Sequence, residues 1–135
     1  MISTKGRYAI RVMIDLAEHG HGGYIPLKDI AARQEISKKY LETVVNLLVK
    51  AKLVKGSSGK GGGYRLLRKP SEYTVGEILK ITEGTLATVA CLAAETNDCP
   101  RKASCQTLPL WKEYDNMVHD FFYSRKLSDL LAAGE

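Results

Sequence analysis

Acidic side chains are almost missing from the middle of this chain. Between Arg33 and Lys69 only Glu35 and Glu42 are negative, against ten lysines and arginines. The window is therefore +8, within a protein of 135 residues whose formal charge is +5. The remainder is mildly acidic. A basic block set against such a remainder is the electrostatic footprint of nucleic-acid binding, although a merely solvated basic face has the same charge.

Other absences narrow the field. No apolar run reaches the roughly 18 residues of a membrane-spanning helix, so no membrane partner is expected. The first residues, Met1-Ile2-Ser3-Thr4-Lys5-Gly6-Arg7-Tyr8, lack the apolar core of a signal peptide, which leads us to expect a cytoplasmic protein. No Ser/His/Asp set, catalytic carboxylate pair or nucleotide fingerprint is evident, so an enzyme is not expected. There are three cysteines, Cys91, Cys99 and Cys105. An odd number argues against a disulfide framework, and their clustering suggests a metal or redox site.

What is present reads as helices and one hairpin. Ser3 to His19 is amphipathic, with Tyr8, Val12 and Leu16 at helical spacing and Gly20-His21-Gly22-Gly23 ending it. Leu27 to Arg33 is a short second helix. After the turn Gln34-Glu35-Ile36, Ser37 caps a third helix from Lys38 to Lys52, with Leu41, Val44, Val45, Leu48 and Val49 facing inward. Two helices joined by so short a turn form a helix-turn-helix.

Two strand candidates, Leu53-Val54-Lys55 and Tyr64-Arg65-Leu66-Leu67, flank the stretch Gly56 to Gly63. A hairpin in this place is the wing of a winged helix. A phosphate-binding loop would instead open a helix, which Tyr64-Arg65-Leu66-Leu67 does not. Thr74 caps a short helix through Ile81, closed by Thr82-Glu83-Gly84. The cysteine segment, with Asn97-Asp98 and Cys99-Pro100, has little periodicity and reads as a loop.

From Thr107 a helix returns, carrying Leu110, Trp111, Tyr114, Met117, Val118, Phe121 and Phe122 at three- and four-residue spacing. Because the winged helix is already closed, this stripe is expected to form a homodimer. His119 lies between the stripe positions and is expected to face solvent. The expected fold is mainly α with a small β-hairpin wing. The expected organisation is a winged helix-turn-helix DNA-binding domain (1–84), a cysteine loop (85–106), and a long C-terminal dimerisation helix with its tail (107–135).

In a helix-turn-helix, the second helix presents its N-terminal residues to base edges in the major groove. Here those residues are Ser37, Lys38, Lys39, Tyr40, Glu42 and Thr43. Tyr40 is expected to pack partly inward, leaving Lys38, Lys39, Glu42 and Thr43 outward. Lysine suits guanine acceptors, Glu42 the cytosine amino group, and Thr43 either, or a thymine methyl. Ser58 and Lys60 at the glycine-rich tip, and Arg7 and Tyr8 at the start of the first helix, are candidates for backbone contacts. Taken alone, the thiols leave four readings open: an iron–sulfur cluster, zinc, a thiol redox switch, or structural thiols. Zinc is disfavoured because no closely spaced Cys pair is present.

Thr4-Lys5-Gly6-Arg7-Tyr8-Ala9, the run Ile30-Ala31…Ile36-Ser37…Tyr40-Leu41-Glu42, and Gly59-Lys60-Gly61-Gly62-Gly63-Tyr64 closely resemble the Rrf family of bacterial winged-helix regulators over nearly the whole chain. The resemblance implies a homodimer with crossing C-terminal helices that binds a double-stranded DNA operator, most often as a repressor. It also implies an iron–sulfur cluster on Cys91, Cys99 and Cys105, with 2Fe–2S expected ahead of 4Fe–4S. The signal would be iron–sulfur, redox or nitric-oxide status.

Three positions depart from the family pattern. Leu108 stands where some members place a ligating histidine. Arg7 falls where others take a carboxylate from the partner, so the fourth ligand is unassigned. Ser58 replaces a minor-groove arginine. The alternative within the same family is a regulator of cysteine or sulfur metabolism with a thiol-based or partner-protein switch and no cluster.

Overall fold

The computed structural model describes residues 2–87, 89–93 and 99–132. Ser3 opens the first helix, α1 (Thr4–His19), its hydroxyl accepting the Gly6 N–H at 3.0 Å. Ala9, Val12, Met13 and Leu16 recur on one face and are buried. Next comes α2 (Leu27–Gln34). Glu35 then turns the chain in the left-handed conformation, φ 55°. Ser37 caps α3 (Lys38–Lys50), accepting the Tyr40 N–H at 3.2 Å, and Leu41, Val44, Val45 and Leu48 fill the core.

The third helix is shorter than its pattern suggested. It ends at Lys50, with Ala51 as its cap, because Lys52 adopts φ 61° and the Leu53 N–H turns back to the Leu48 carbonyl. That reversal carries Leu53 and Val54 into the core and starts the wing. Val49 is only half-buried.

The wing pairs β1 (Val54–Ser57) with β2 (Gly63–Leu66) in antiparallel register, Val54 opposite Leu66 and Ser57 opposite Gly63. β1 thus ends and β2 begins inside the glycine stretch, leaving residues 58–62 as the tip. Ile25 adds a short bridge to Tyr64, with N–H···O distances of 2.8 and 2.9 Å. Gly63 permits this bridge: its φ is 148°, and a Cβ there would stand 2.2 Å from the Ile25 carbonyl oxygen.

A reciprocal capping box between Thr74 and Glu77 starts α4 (Val75–Glu83), and Gly84 closes it with φ 77°. A 3₁₀ turn at Ala90–Leu92 precedes the long α5 (Leu108–Ser124). Helices α4 and α5 meet closely at Gly76, where a Cβ would lie 2.3 Å from the Tyr123 ring.

After α5 the chain returns to the first core. Val75 N–H donates to the Arg125 carbonyl (2.9 Å) and Leu127 N–H to the Tyr73 carbonyl (3.0 Å), and Leu127 is fully buried. Residues 125–130 therefore pack with the winged helix, an arrangement that no periodicity in the sequence announces. No helix among the described residues is long and apolar enough to cross a membrane.

Candidate nucleic-acid interface and cysteine loop

A polar network ties α2 against α1. Asp15 is fully buried, and Arg33 reaches it with two prongs, Nη2 to Oδ1 at 2.7 Å and Nε to Oδ2 at 2.9 Å. This fork raises the guanidinium pKa further above its ordinary value, chiefly through the Asp15 hydrogen bond. Gln34 Nε2 also donates to Asp15 (3.0 Å). Arg11 in turn donates to the Gln34 side-chain oxygen (3.1 Å) and to its backbone carbonyl. The last turn of α2 is thereby tied to α1 just before the chain enters α3. A buried carboxylate is tolerable here because three donors satisfy it.

Lys38, Lys39, Glu42 and Thr43 are all exposed on α3, as their spacing suggested. Ser37 is exposed too, but its hydroxyl is taken up in the cap. Tyr40 and Tyr8 are half-buried and pack edge to face, ring centroids 5.4 Å apart, with the Arg11 guanidinium 5.2 Å over the Tyr8 ring. This contact braces the start of α3 against α1. Arg7 is exposed and donates to Thr4 Oγ1 at 3.1 Å. Ser58 and Lys60 are exposed on the wing tip.

Between the start of α2, α3 and the wing runs a groove of about 480 Å³, lined by Lys28, Lys38, Glu42, Asn46 and residues Gly62 to Tyr64. Sequence reasoning missed Lys28 and Asn46. The four-residue step from Glu42 would have found Asn46, whereas Lys28 joins only because α2 folds beside α3.

The wing root is held by Tyr73, which is fully buried. Its hydroxyl donates to the Leu53 carbonyl at 2.6 Å and accepts the Leu67 and Arg68 N–H groups at 3.0 Å each. The Arg68 guanidinium lies 4.2 Å over the same ring and pairs with Glu77 at 2.7 Å.

None of the three cysteines is in a disulfide, and all are half-buried. Cys91 sits in the 3₁₀ turn, and Cys105 lies two residues before the Thr107 cap of α5. Cys105 Sγ is 3.4 Å from Thr107 Oγ1, and hydrogen bonds from that hydroxyl and from the Thr107 backbone lower the thiol pKa. Soft sulfur donors suit iron–sulfur or zinc chemistry, so the donor set fits such a group. Among the described residues, however, no three Cys, His, Asp or Glu side chains are gathered closely enough to hold an ion. Binding would require the three thiols to be brought together. Asn97 and Asp98 lie outside the described residues. Leu108 is buried in the chain's own packing, a structural reason for an apolar residue there.

On α5, Leu110, Tyr114, Met117 and Phe121 are 57%, 48%, 64% and 51% exposed, while Trp111, Val118 and Phe122 are half-buried. An apolar groove of about 280 Å³ runs along Tyr114, Met117, Val118, Phe121 and Phe122. So large an apolar surface on one helix is what an interaction face requires. His119 is exposed, stacked 4.3 Å from Tyr123.

Residues 2–133 match the Rrf2 family, whose members are described as iron-dependent transcriptional regulators. The HTH-type transcriptional regulator IscR of Aliivibrio salmonicida is 37% identical over 134 residues, covering 99% of this chain and 79% of that protein. Among solved structures, the global cysteine regulator CymR of B. subtilis superposes with a TM-score of 0.79 at 35% identity, covering 100% of this chain and 98% of that one. IscR of T. potens does so with a TM-score of 0.76, also at 35% identity, covering 96% and 85%. These relatives are named as regulators, not enzymes. The helix-turn-helix, the hairpin beside it and the match along nearly the whole chain agree, and the protein belongs to the Rrf2 family of winged-helix transcriptional regulators.

Proposed function

We propose that this chain is a homodimeric, sequence-specific DNA-binding repressor whose operator affinity is modulated by an iron–sulfur cluster on Cys91, Cys99 and Cys105. The observation that carries the DNA reading is the exposed set Lys38, Lys39, Glu42 and Thr43 on α3, facing out beside a glycine-tipped wing. Lys38 and Lys39 supply donors for guanine or phosphate, Glu42 an acceptor for cytosine, and Thr43 either function. Ser58 and Lys60 approach the sugar-phosphate backbone, with Arg7 at its flank.

Residues 1–84 are the DNA-binding unit. Residues 85–106 are the cysteine loop, and 107–135 carry the dimer helix, whose tail is anchored on the first core. The apolar stripe of α5, including Leu110, Trp111, Tyr114, Val118, Phe121 and Phe122, is the dimer face.

When bound, a cluster would supply iron sensitive to oxygen, nitric oxide and iron supply. The protein's part is to hold it with three thiolates from the loop joining α4 to α5. Holding it there fixes the connection between the DNA-binding unit and the dimer helix, and so bears on the spacing of two recognition helices. The test is anaerobic reconstitution, followed by comparison of holo, apo and triple Cys→Ala protein on a selected operator. A visible iron–sulfur spectrum with different holo and apo affinities is expected. Equal affinities, with iron and sulfide verified, would remove the switch.

A second reading is favoured by the ungathered thiols and by the likeness to CymR: a regulator of cysteine or sulfur metabolism with a thiol or partner-protein switch. It predicts no iron after reconstitution, and DNA binding that responds to thiol oxidation or to an added protein.

A further inference from the structure

We infer that Asn46 is a base-reading residue that extends recognition beyond Glu42, selecting adenine at a neighbouring step. The inference rests on α3 being the recognition helix.

Lys38, Glu42 and Asn46 follow one another at four-residue intervals and so form a single stripe along α3. All three are exposed, and all three line the groove against the wing. At 1.5 Å per residue, Asn46 stands about 6 Å beyond Glu42 along the helix axis. That is close to two base steps of about 3.4 Å. A contact two steps from the one made by Glu42 is therefore within the reach of the same helix in the same groove.

The chemistry matches. An asparagine amide presents a donor and an acceptor side by side, which fits the N6 and N7 edge of adenine. No hydrogen bond among the described residues engages this amide.

Asparagine is also a poor choice for the structure alone. It is a weak helix former in the interior of α3, where an exposed site would be served better by Ala, Lys or Glu. A residue that breaks a local rule without packing in return points to function.

Lys28 offers an internal contrast. It reaches the same groove from α2 as an exposed point charge, the chemistry of a phosphate contact.

The test is selection of operators from a random duplex pool by wild type, Asn46→Ala, Glu42→Ala and Lys28→Ala. Asn46→Ala replaces a weak helix former with the strongest, so misfolding does not confound it. Wild type is expected to require an adenine about two base pairs from the position that Glu42→Ala relaxes. Asn46→Ala should lose roughly tenfold or more discrimination at that position alone. Placing 7-deazaadenine there should weaken wild type and leave Asn46→Ala unchanged. Lys28→Ala should weaken all sequences alike and lower the salt slope by about one unit.

An operator selected equally well by Asn46→Ala, or a loss spread evenly over all sequences, overturns the assignment while DNA reading by α3 stands. Failure of wild type to select any sequence overturns both.

Discussion

The hydroxyl of Tyr73 lies 2.6 Å from the carbonyl oxygen of Leu53, twenty residues earlier, and donates a fully buried hydrogen bond to it. Leu53 is the residue at which α3 has ended and the wing begins. The same hydroxyl receives the N–H groups of Leu67 and Arg68, where the wing ends. One phenol therefore ties the two ends of the hairpin together. Tyr73→Phe keeps the ring and strands a carbonyl and two N–H groups. It should cost about 1–3 kcal/mol in urea unfolding and weaken DNA binding through the wing. A change below about 0.5 kcal/mol would mean that water replaces the hydroxyl without loss.

Asp15 and Arg33 make the second tie. Asp15→Ala removes a buried carboxylate that holds both Arg33 and Gln34. A loss of about 3 kcal/mol is expected in denaturant unfolding. The two-residue variant Asp15→Leu with Arg33→Met should recover much of that loss, because the pair is then replaced by apolar packing. Failure to recover would assign the cost to Gln34 and Arg11, not to the ion pair.

The α5 stripe should govern assembly. Trp111→Asp with Phe121→Asp should convert a dimer to monomers by light scattering, since each large apolar side chain contributes on the order of a few kcal/mol when buried. A soluble double variant that remains a DNA-binding dimer places the interface elsewhere.

Glu42 and Lys60 should separate by kind. Glu42→Ala is expected to alter sequence preference at one position. Lys60→Ala should weaken operator and random DNA alike and lower the salt slope by about one unit. Equal losses on both DNAs for Glu42→Ala would remove Glu42 from base reading.

Tyr123 supplies a pH dependence. Its phenol pKa is raised, first by burial against α4 and then by the negative charge of Glu77. The folded state therefore favours the neutral phenol more than the unfolded state does. This contribution is complete below the unfolded value of about 10 and is lost as pH rises through the higher folded value. Melting temperature should fall more steeply above about pH 10 in wild type than in Tyr123→Phe, which cannot ionise. Parallel pH profiles for the two proteins would refute the link.

Much of this protein follows from local pattern. Helical spacing of Ala9, Val12, Met13 and Leu16, and of Leu41, Val44, Val45 and Leu48, determines which faces are buried, because a face repeats wherever its period does. Ser37 and Thr74 announce helix starts because a cap is a contact within three residues. The outward placement of Lys38, Lys39, Glu42 and Thr43 follows from the same periodicity.

What tertiary structure alone decided are contacts between residues far apart in the chain. That the rings of Tyr8 and Tyr40 meet edge to face follows only from the placement of α1 against α3. The partners of Asp15, the return of Leu127 to the first core and the grip of Tyr73 on Leu53 carry no local signal. Each pairing depends on the relative placement of whole elements, which the packing of the complete core sets.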